Sequence, residues 1–349
     1  MKLPAISAPK LAVIAPPTIE VTPIDFFKNK RGCQDIEDSI CQRVMNQAYV
    51  NRIIQLMSQR PEQGKRLIGL GPIALWELWQ RILEMDEQQQ QQRASNPKRT
   101  RQSGGGRKKA GNVLCRLLVA LLYLRQHWTM QSMAECLDCA ESTVWNYIHE
   151  MIPYLRIALP ASLLEQWQRE CPSIERSELE QWLAELPDGE LLVDSWEQPI
   201  PRAQDTEQQK EYYSGKKKQH TRKNQGITLP RGVDIVDVVL GEKGPRSDSK
   251  LLEQTQAELL AEIPFVGDKA YVGKANTTTP HKKPRGGELS DEQKAFNRQV
   301  SQRRVFVEHV IRVIKIFRVA KELFRMRSGM YKEIIGCVCG LVRLRVQYV

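Results

Sequence analysis

The N-terminal half of the chain is dominated by apolar residues at helical spacing. They recur at four-residue steps from about Asp35 to residue 86, after a proline-rich stretch that lacks any period. From Asn112 a run rich in leucine is apolar nearly all round, as the central helix of a small domain must be. These patterns predict an extended arm over 1–30, a helical unit over 31–86 and a second helical unit over 112–160.

Two short helices are predicted to follow the central helix of this second unit. Thr129 can cap the first, and a capping box formed by Asp138 and Glu141 opens the second, which should end before Pro153. Two short helices joined by a tight turn and packed on a longer one are typical of the helix-turn-helix. Its second helix would enter the major groove of DNA with the side chains of Ser142, Thr143 and Asn146.

The pattern changes to short apolar strands at residue 188, after a charged helical connector over 161–187. Strands are predicted at 189–200, within 214–229, at 232–241 and at 263–271, with a helix after Ser247 and a last helix from Asp291 to about Phe324. This order is that of a ribonuclease H-like fold. We therefore expect an α+β multidomain protein, all-α with a helix-turn-helix at its N-terminal side and ribonuclease H-like α/β over 188–349.

Three carboxylates are embedded among apolar residues of this last domain: Asp194, Asp268 and Glu308. Three acids brought together repel one another unless cations compensate their charge. Oxygen ligands suit Mg²⁺, for which Mn²⁺ can substitute, and two such ions promote in-line displacement at phosphorus. Gly267 is expected to leave room beside Asp268 for a substrate or ion. From the residues alone, Glu308 could instead pair with a neighbouring arginine, and the competing carboxylates are Asp234, Asp237 and Asp248.

The charge of the chain indicates a partner. Lys and Arg number 52 against 41 Asp and Glu, and the formal net charge of +11 favours a polyanion such as nucleic acid. Residues 87–111 are predicted to form a flexible basic linker. No segment resembles a signal peptide or a membrane span, so we expect a cytoplasmic protein without membrane contact. The side chains expected to grip DNA phosphates are Arg107, Lys108, Lys109, Lys216, Lys217, Lys218, Arg222 and Lys223.

Two blocks of the chain resemble the insertion-sequence DDE transposases, particularly the insertion-sequence-five and Harbinger-like group. GDKAY, residues 267–271, is similar to the block around the family's second aspartate, and RVFVEHVIRVIK, residues 304–315, to the block around its glutamate. The family's first block often reads Asp-Gly-Thr-Glu, of which this chain keeps only the acid and the Glu. The resemblance implies a metal-binding triad of Asp194, Asp268 and Glu308, with Arg304 and Lys315 as phosphate-holding helpers and Asp248 in a loop outside the site.

The resemblance also implies a function. A transposase of this kind binds the terminal inverted repeats of a mobile element and catalyses metal-dependent cleavage and strand transfer into target DNA. Because two ends must be paired, at least a homodimer is expected in the complex with double-stranded DNA. Two alternatives stay open: a sequence-specific DNA-binding regulator with an inactive catalytic domain, and a nuclease on the same fold that cuts DNA without joining it.

Overall fold

The computed structural model describes residues 47–95, 112–171, 189–259 and 263–346. The predicted arm, the linker residues Arg107, Lys108 and Lys109, and most of the predicted connector lie outside these ranges. The helices are α1 (Gln47–Gln59), α2 (Pro61–Ile68), α3 (Pro72–Ala94), α4 (Val113–Gln126), α5 (Met130–Leu137), α6 (Glu141–Ala158), α7 (Leu163–Glu170), α8 (Thr206–Tyr212), α9 (Asp248–Leu259), α10 (Asp291–Ile316) and α11 (Tyr331–Val346). The strands are β1 (Leu191–Pro199), β2 (Tyr213–Ser214), β3 (Gln219–Thr228), β4 (Ile235–Lys243), β5 (Phe265–Val266) and β6 (Thr277–Thr278).

Helix α3 is longer than its apolar pattern indicates. It begins at Pro72, whose missing N–H is not needed in the first helical turn, and it continues to Ala94. The prediction that the flexible linker starts at residue 87 is therefore wrong. The glutamines over 88–92 have high helix propensity, and they extend the helix as an exposed end without any apolar face.

A buried polar cluster joins α3 to α4 and α6. Asp86 accepts hydrogen bonds from the Tyr154 hydroxyl at 3.0 Å and from the Gln90 amide at 2.6 Å, and it lies 3.7 Å from the Arg116 guanidinium. Arg116 also pairs with Glu150 at 2.6 Å. Because Asp86 and Arg116 are both almost fully buried, neither charge can rely on water for compensation.

Helices α4, α5 and α6 form the predicted three-helix unit, although their caps differ in part from the prediction. Thr129 caps α5 as expected, since its hydroxyl accepts a hydrogen bond from the Ser132 N–H at 3.1 Å. The predicted capping box is wrong. Asp138 ends α5 in the left-handed conformation, with φ 49°, and α6 begins at Glu141 without a side-chain cap.

The prediction that α6 ends before Pro153 is also wrong, because the helix runs through this proline to Ala158. A proline inside a helix removes one backbone hydrogen bond and disturbs the preceding turn. Here the next turn carries Tyr154 and Leu155, which are both buried. Their packing offsets the local cost and keeps the helix intact.

A six-stranded mixed sheet forms the centre of the C-terminal domain. β3 lies between β1 and β4 and is antiparallel to both, while β5 runs parallel to β1 on its other side. β2 pairs with the start of β3, and β6 runs parallel to β5. Side chains alternate across β1, so that Leu192 and Trp196 face the main core while Leu191 and Val193 face a smaller apolar cluster.

The long last helix predicted from the sequence is interrupted. α10 begins at a complete capping box on Ser290 and ends at Ile316 rather than near Phe324, and α11 follows as a separate helix. α11 is buried nearly all round and contacts both α6 and β4. The three-helix unit and the sheet therefore share one apolar core. In the described ranges, no helix is long and apolar enough to cross a bilayer.

Two glycines bring α11 close to the three-helix unit. A Cβ placed on Gly340 would lie 2.6 Å from the Leu159 carbonyl oxygen, which is backbone and cannot rotate away. A Cβ on Gly336 would instead meet the Arg156 guanidinium at 3.0 Å, which is the end of a flexible side chain. The backbone contact at Gly340 is thus the tighter of the two.

Arg343 fixes the end of α11 through all five of its N–H donors. Two of these bonds go to the Asp234 carboxylate, at 2.7 and 2.9 Å, in the bidentate arrangement that suits a guanidinium. Because β4 begins immediately after Asp234, this pair links α11 to the sheet. The other acceptors, on the segment between α6 and α7 and on α7 itself, are the carbonyl oxygens of Pro160 and Ser162, at 3.0 Å each, and the Gln166 side chain at 2.9 Å.

Candidate active site

Asp194 lies at the middle of β1, the strand between β3 and β5. By strand alternation its side chain shares a face with Leu192 and Trp196, and it is only 21% exposed. Its Oδ1 accepts a hydrogen bond from the Ser195 N–H at 2.8 Å. A carboxylate among apolar neighbours keeps little water, so its charge depends on nearby cations and donors.

Asp268 follows β5, directly beside Asp194. The parallel register pairs Leu192 with Val266, so each acid comes two residues later on its own strand. Asp268 also caps the short 3₁₀ turn Lys269–Tyr271, because its Oδ1 accepts a hydrogen bond from the Ala270 N–H at 2.7 Å. The strand pairing therefore brings the first two predicted acids close together.

Gly267 does not leave open space beside Asp268. A Cβ at this position would lie 2.7 Å from the ring of Tyr271, which is buried. The interpretation that the missing side chain admits a substrate or ion is therefore wrong. The glycine is needed because the tyrosine ring folds back onto it.

Glu308 approaches the same place from α10, which packs along β1. Its carboxylate lies 3.1 Å from the Arg304 guanidinium, one helical turn earlier, and that guanidinium also lies 3.9 Å from Asp194. Arg304 is 15% exposed and Glu308 51% exposed. Arg304 thus lies between Asp194 on β1 and Glu308 on α10, and it compensates part of the charge of both.

The pKa of Asp194 reflects the burial and the charges around its carboxylate. Burial raises the pKa of the Asp194 carboxyl to about 6, against the opposing effects of the Ser195 N–H and the Arg304 guanidinium. The negative charges of Asp268 and Glu308 raise this pKa further. The three acids are therefore close enough to affect one another, as their predicted grouping requires.

Basic side chains adjoin the acids. Burial lowers the pKa of the Lys315 ammonium, Asp194 opposes this effect, and the charges of Lys217 and Lys321 add to it. Lys217 belongs to the predicted basic run, and its neighbours Lys216 and Lys218 are exposed in the turn before β3. Lys321 is exposed after α10 and escaped sequence reasoning, because nothing in its local pattern distinguishes it from a surface lysine.

Two residues of the predicted basic run make contacts within the domain. Lys223 is 7% exposed, and its ammonium lies 2.9 Å from Asp248. Arg222 lies between the rings of Tyr212 and Tyr331, 5.4 and 4.9 Å from their centroids. The prediction that Lys223 grips phosphate is therefore wrong, because its charge is paired with Asp248 inside the domain, whereas the phosphate contact of the half-buried Arg222 stays a prediction.

The competing carboxylates are separated from the triad by their own partners or by the sheet. Asp234 pairs with Arg343, and Asp248 with Lys223. Asp237 pairs in register with Ile227, which pairs with Val193, so that its side chain belongs to the face opposite Asp194. Register and ion pairing therefore favour Asp194 over these carboxylates, and the assignment of the three ligands stays a prediction.

The predicted DNA-reading positions lie on one face of α6. Ser142 and Asn146 are exposed and Thr143 is half-buried. Between them Trp145 is 40% exposed and stacks on His149, with ring centroids 3.5 Å apart. The sequence pattern did not single out Trp145, because an isolated tryptophan in an amphipathic helix is usually assigned to the core.

The donor chemistry of the three acids fits a hard divalent cation, because all three offer carboxylate oxygens. Across the described ranges, no three His, Cys, Asp or Glu side chains are already arranged as the ligands of one ion. The Arg304 guanidinium lies between Asp194 and Glu308 instead. A cation held by both acids would therefore replace contacts that Arg304 now makes.

Comparisons with known proteins agree with this arrangement. Residues 193–343 match the model of the DDE superfamily endonuclease, and residues 115–161 match the helix-turn-helix of that superfamily. The chain is 34% identical over 165 residues to a protein of Microchaete diplosiphon described as a probable transposase for insertion sequence element IS702. The aligned part covers 46% of this chain and 59% of that relative. No solved structure matches the chain.

The two family matches follow each other in the order that the sequence predicted, and the second contains all three acids. The predicted helix-turn-helix is confirmed, with its second helix at α6. The chain is therefore similar to the helix-turn-helix of the DDE superfamily over residues 115–161 and to its endonuclease over residues 193–343, and it resembles a probable insertion-sequence transposase over 165 residues.

Proposed function

We propose that this protein binds the terminal inverted repeats of a mobile element and cleaves and joins DNA at Asp194, Asp268 and Glu308. The observation that carries the proposal is the approach of these acids from β1, from the end of β5 and from α10, beside Arg304 and Lys315. The order of the paired strands, with β1 between antiparallel β3 and parallel β5, supports a ribonuclease H-like fold for this domain.

Endonucleases of the DDE superfamily generally use divalent metal ions. Two Mg²⁺ ions, or Mn²⁺ in their place, would supply activation of the attacking oxygen and stabilisation of the leaving oxygen. The chain's own contribution is the negative charge of the three carboxylates and the positive charge of Arg304 and Lys315. These two cations would hold non-bridging oxygens of the cleaved phosphate.

The remaining basic and polar groups would position the DNA. Ser142, Thr143 and Asn146 on α6 would read bases in the major groove, while the linker residues Arg107, Lys108 and Lys109 would follow the phosphate backbone. Lys216, Lys217 and Lys218 would bind phosphates next to the cleaved bond, because the charge of Lys217 already acts on Lys315. Pairing of two ends implies at least a homodimer in the DNA complex.

The proposal is tested with duplexes that carry the DNA flanking the gene, incubated with and without Mg²⁺. Asp194→Asn, Asp268→Asn and Glu308→Gln should each bind this DNA as the wild type does and cut none of it. Asp237→Asn is the matched control, since its carboxylate lies on the other face of the sheet, and it should cut normally. Thermal unfolding of each variant verifies the fold.

Three results would contradict the proposal in different ways. Cleavage retained by any of the three acid variants removes that residue from the site. Salt-dependent DNA binding by the wild type without any metal-dependent nicking identifies a regulator. Cleavage without joined products, in a reaction that also contains target DNA, identifies a nuclease.

A further inference from the structure

We propose that Tyr271 and Ser195 form a hydrogen-bonded clamp that sets the position of Asp268 relative to Asp194. The clamp acts from the face of the sheet opposite Asp194, so neither hydroxyl touches DNA or metal. Both are positioning residues, and the inference rests on the proposed function because it concerns the geometry of the same acids.

The clamp joins the two segments that carry these acids. Ser195 follows Asp194 on β1, and strand alternation turns its side chain to the other face. Tyr271 ends the 3₁₀ turn that Asp268 caps, and its ring belongs to the apolar cluster on that face. The Ser195 and Tyr271 hydroxyl oxygens are 2.9 Å apart. One hydrogen bond thus connects the neighbour of the first acid to the turn of the second.

Gln225 gives this hydrogen bond a direction. It lies opposite Ser195 in the register of β1 and β3, and its amide nitrogen donates to the Tyr271 hydroxyl at 3.1 Å and to the Asp248 carbonyl oxygen at 3.1 Å. Because the tyrosine oxygen accepts from Gln225, its own proton is available to Ser195. Gln225 and Tyr271 are 0% and 1% exposed and Ser195 is half-buried, so water competes little for these bonds.

The tyrosine is also tied to Asp268 through the backbone. Its ring folds onto Gly267, its N–H donates to the Asp268 carbonyl oxygen at 3.1 Å, and the Asp268 carboxylate caps the same turn. Displacement of the ring therefore displaces the acid. Loss of a hydrogen bond that positions a metal ligand typically weakens metal affinity by about 10- to 100-fold.

The chain offers matched controls for the loss of a tyrosine hydroxyl. The Tyr331 hydroxyl is equally buried and makes two hydrogen bonds, to Asn224 at 2.9 Å and to Gln198 at 3.0 Å, in the core beside α11. The Tyr123 hydroxyl is buried in α4 and has no hydrogen-bond partner among the residues that the structure describes. Tyr331→Phe therefore removes comparable bonds away from the acids, and Tyr123→Phe removes none.

The experiment uses the full chain and measures metal binding without DNA. Mn²⁺ titration followed by electron paramagnetic resonance gives the metal affinity, and thermal unfolding at increasing Mg²⁺ gives an independent value. Tyr271→Phe and Ser195→Ala should each weaken metal affinity by about tenfold or more. The double variant should bind metal no more weakly than Tyr271→Phe alone, because that substitution already removes the hydrogen bond that Ser195→Ala removes. Tyr331→Phe should lose stability but bind metal as the wild type does, and Tyr123→Phe should change neither.

Several outcomes overturn the clamp. Ser195→Ala is the milder change, at the other end of the hydrogen bond. If this variant binds metal with unchanged affinity, the clamp is refuted even if Tyr271→Phe fails to fold. An equal loss of affinity in Tyr331→Phe would show that any weakened core has this effect. If the wild type binds no metal and cuts no DNA, the proposed function fails together with the clamp. If the wild type does both and Ser195→Ala is normal, only the clamp fails.

Discussion

Arg343→Met should loosen the junction between the helix-turn-helix unit and the endonuclease domain. The substitution keeps an apolar stem but removes every hydrogen bond of the guanidinium, including the bidentate pair with Asp234. The Asp234 side chain is 18% exposed and would lose the ion pair that it makes with Arg343. The carbonyl oxygens of Pro160 and Ser162 would each lose the Arg343 donor as well, although that of Ser162 keeps the Gln166 N–H at 3.1 Å.

The size of the effect follows from burial. Breaking a buried ion pair by removing one partner costs about 3–5 kcal/mol. Asp234 retains some solvent and keeps a hydrogen bond from the Ile235 N–H at 2.7 Å, so the lower end applies. We expect the free energy of unfolding to fall by about 3 kcal/mol, which is roughly a hundredfold in the folded-to-unfolded ratio. Arg343→Lys keeps the charge but loses the planar fork, so its cost should be intermediate.

Urea unfolding followed by far-ultraviolet circular dichroism and by tryptophan fluorescence measures this change. Arg327→Ala, at an exposed arginine before α11, is the control and should stay within about 0.5 kcal/mol of the wild type. A double-mutant cycle of Arg343→Met with Asp234→Asn isolates the pair itself. The reasoning is refuted if Arg343→Met unfolds like the wild type, or if the two substitutions are additive.

Three further predictions concern the packing and the acid sensitivity of the fold. Gly340→Ala should destabilise by about 1–3 kcal/mol, whereas Gly336→Ala should be tolerated; equal midpoints of urea unfolding would contradict the backbone contact. Asp86→Ala should lower the free energy of unfolding by about 3 kcal/mol or more, and the control Glu207→Ala, at an exposed residue, by under about 1 kcal/mol. Similar losses of stability in thermal unfolding would show that the buried cluster contributes nothing. Burial lowers the pKa of the His127 imidazole, so its contribution to stability is present above the unfolded pKa of about 6.5 and is lost as pH falls. His127→Asn, which tolerates the left-handed backbone there, should reduce that acid sensitivity in pH-dependent melting, and an unchanged profile would exclude His127 as a cause.

The sequence indicates the acids of the candidate site because charged residues inside apolar segments need compensation by a partner or an ion. Asp194 and Asp268 stand out in this way, but Asp234 and Asp237 do so as well. Two features set Asp234 and Asp237 apart from Asp194 and Asp268. They are the register of β4 and the ion pair of Asp234 with Arg343, which lies more than a hundred residues away in sequence. Such long-range partners leave no signal in a local pattern, so the family motifs rather than the physics of the sequence singled out the triad.

Other predictions failed because tertiary packing outweighs local preference. Pro153 signals a helix end, yet burial of the turn that follows carries α6 past it. Lys223 belongs to a basic run that looks exposed, yet β3 directs it towards Asp248 at the start of α9. Tyr271 drew no attention as one aromatic residue in a motif, because its hydrogen bond to Ser195 depends on two strands being neighbours.

The position of α11 has a consequence for synthesis of the protein. This helix is the last described element to leave the ribosome, and it supplies a face of the core on which α6 packs. A nascent chain that still lacks residues 331–346 therefore has α6 without part of the core on which this helix packs. Folding of the three-helix unit and of the C-terminal domain is thereby coupled in time, since neither unit reaches its final packing before residues 331–346 have left the ribosomal exit tunnel.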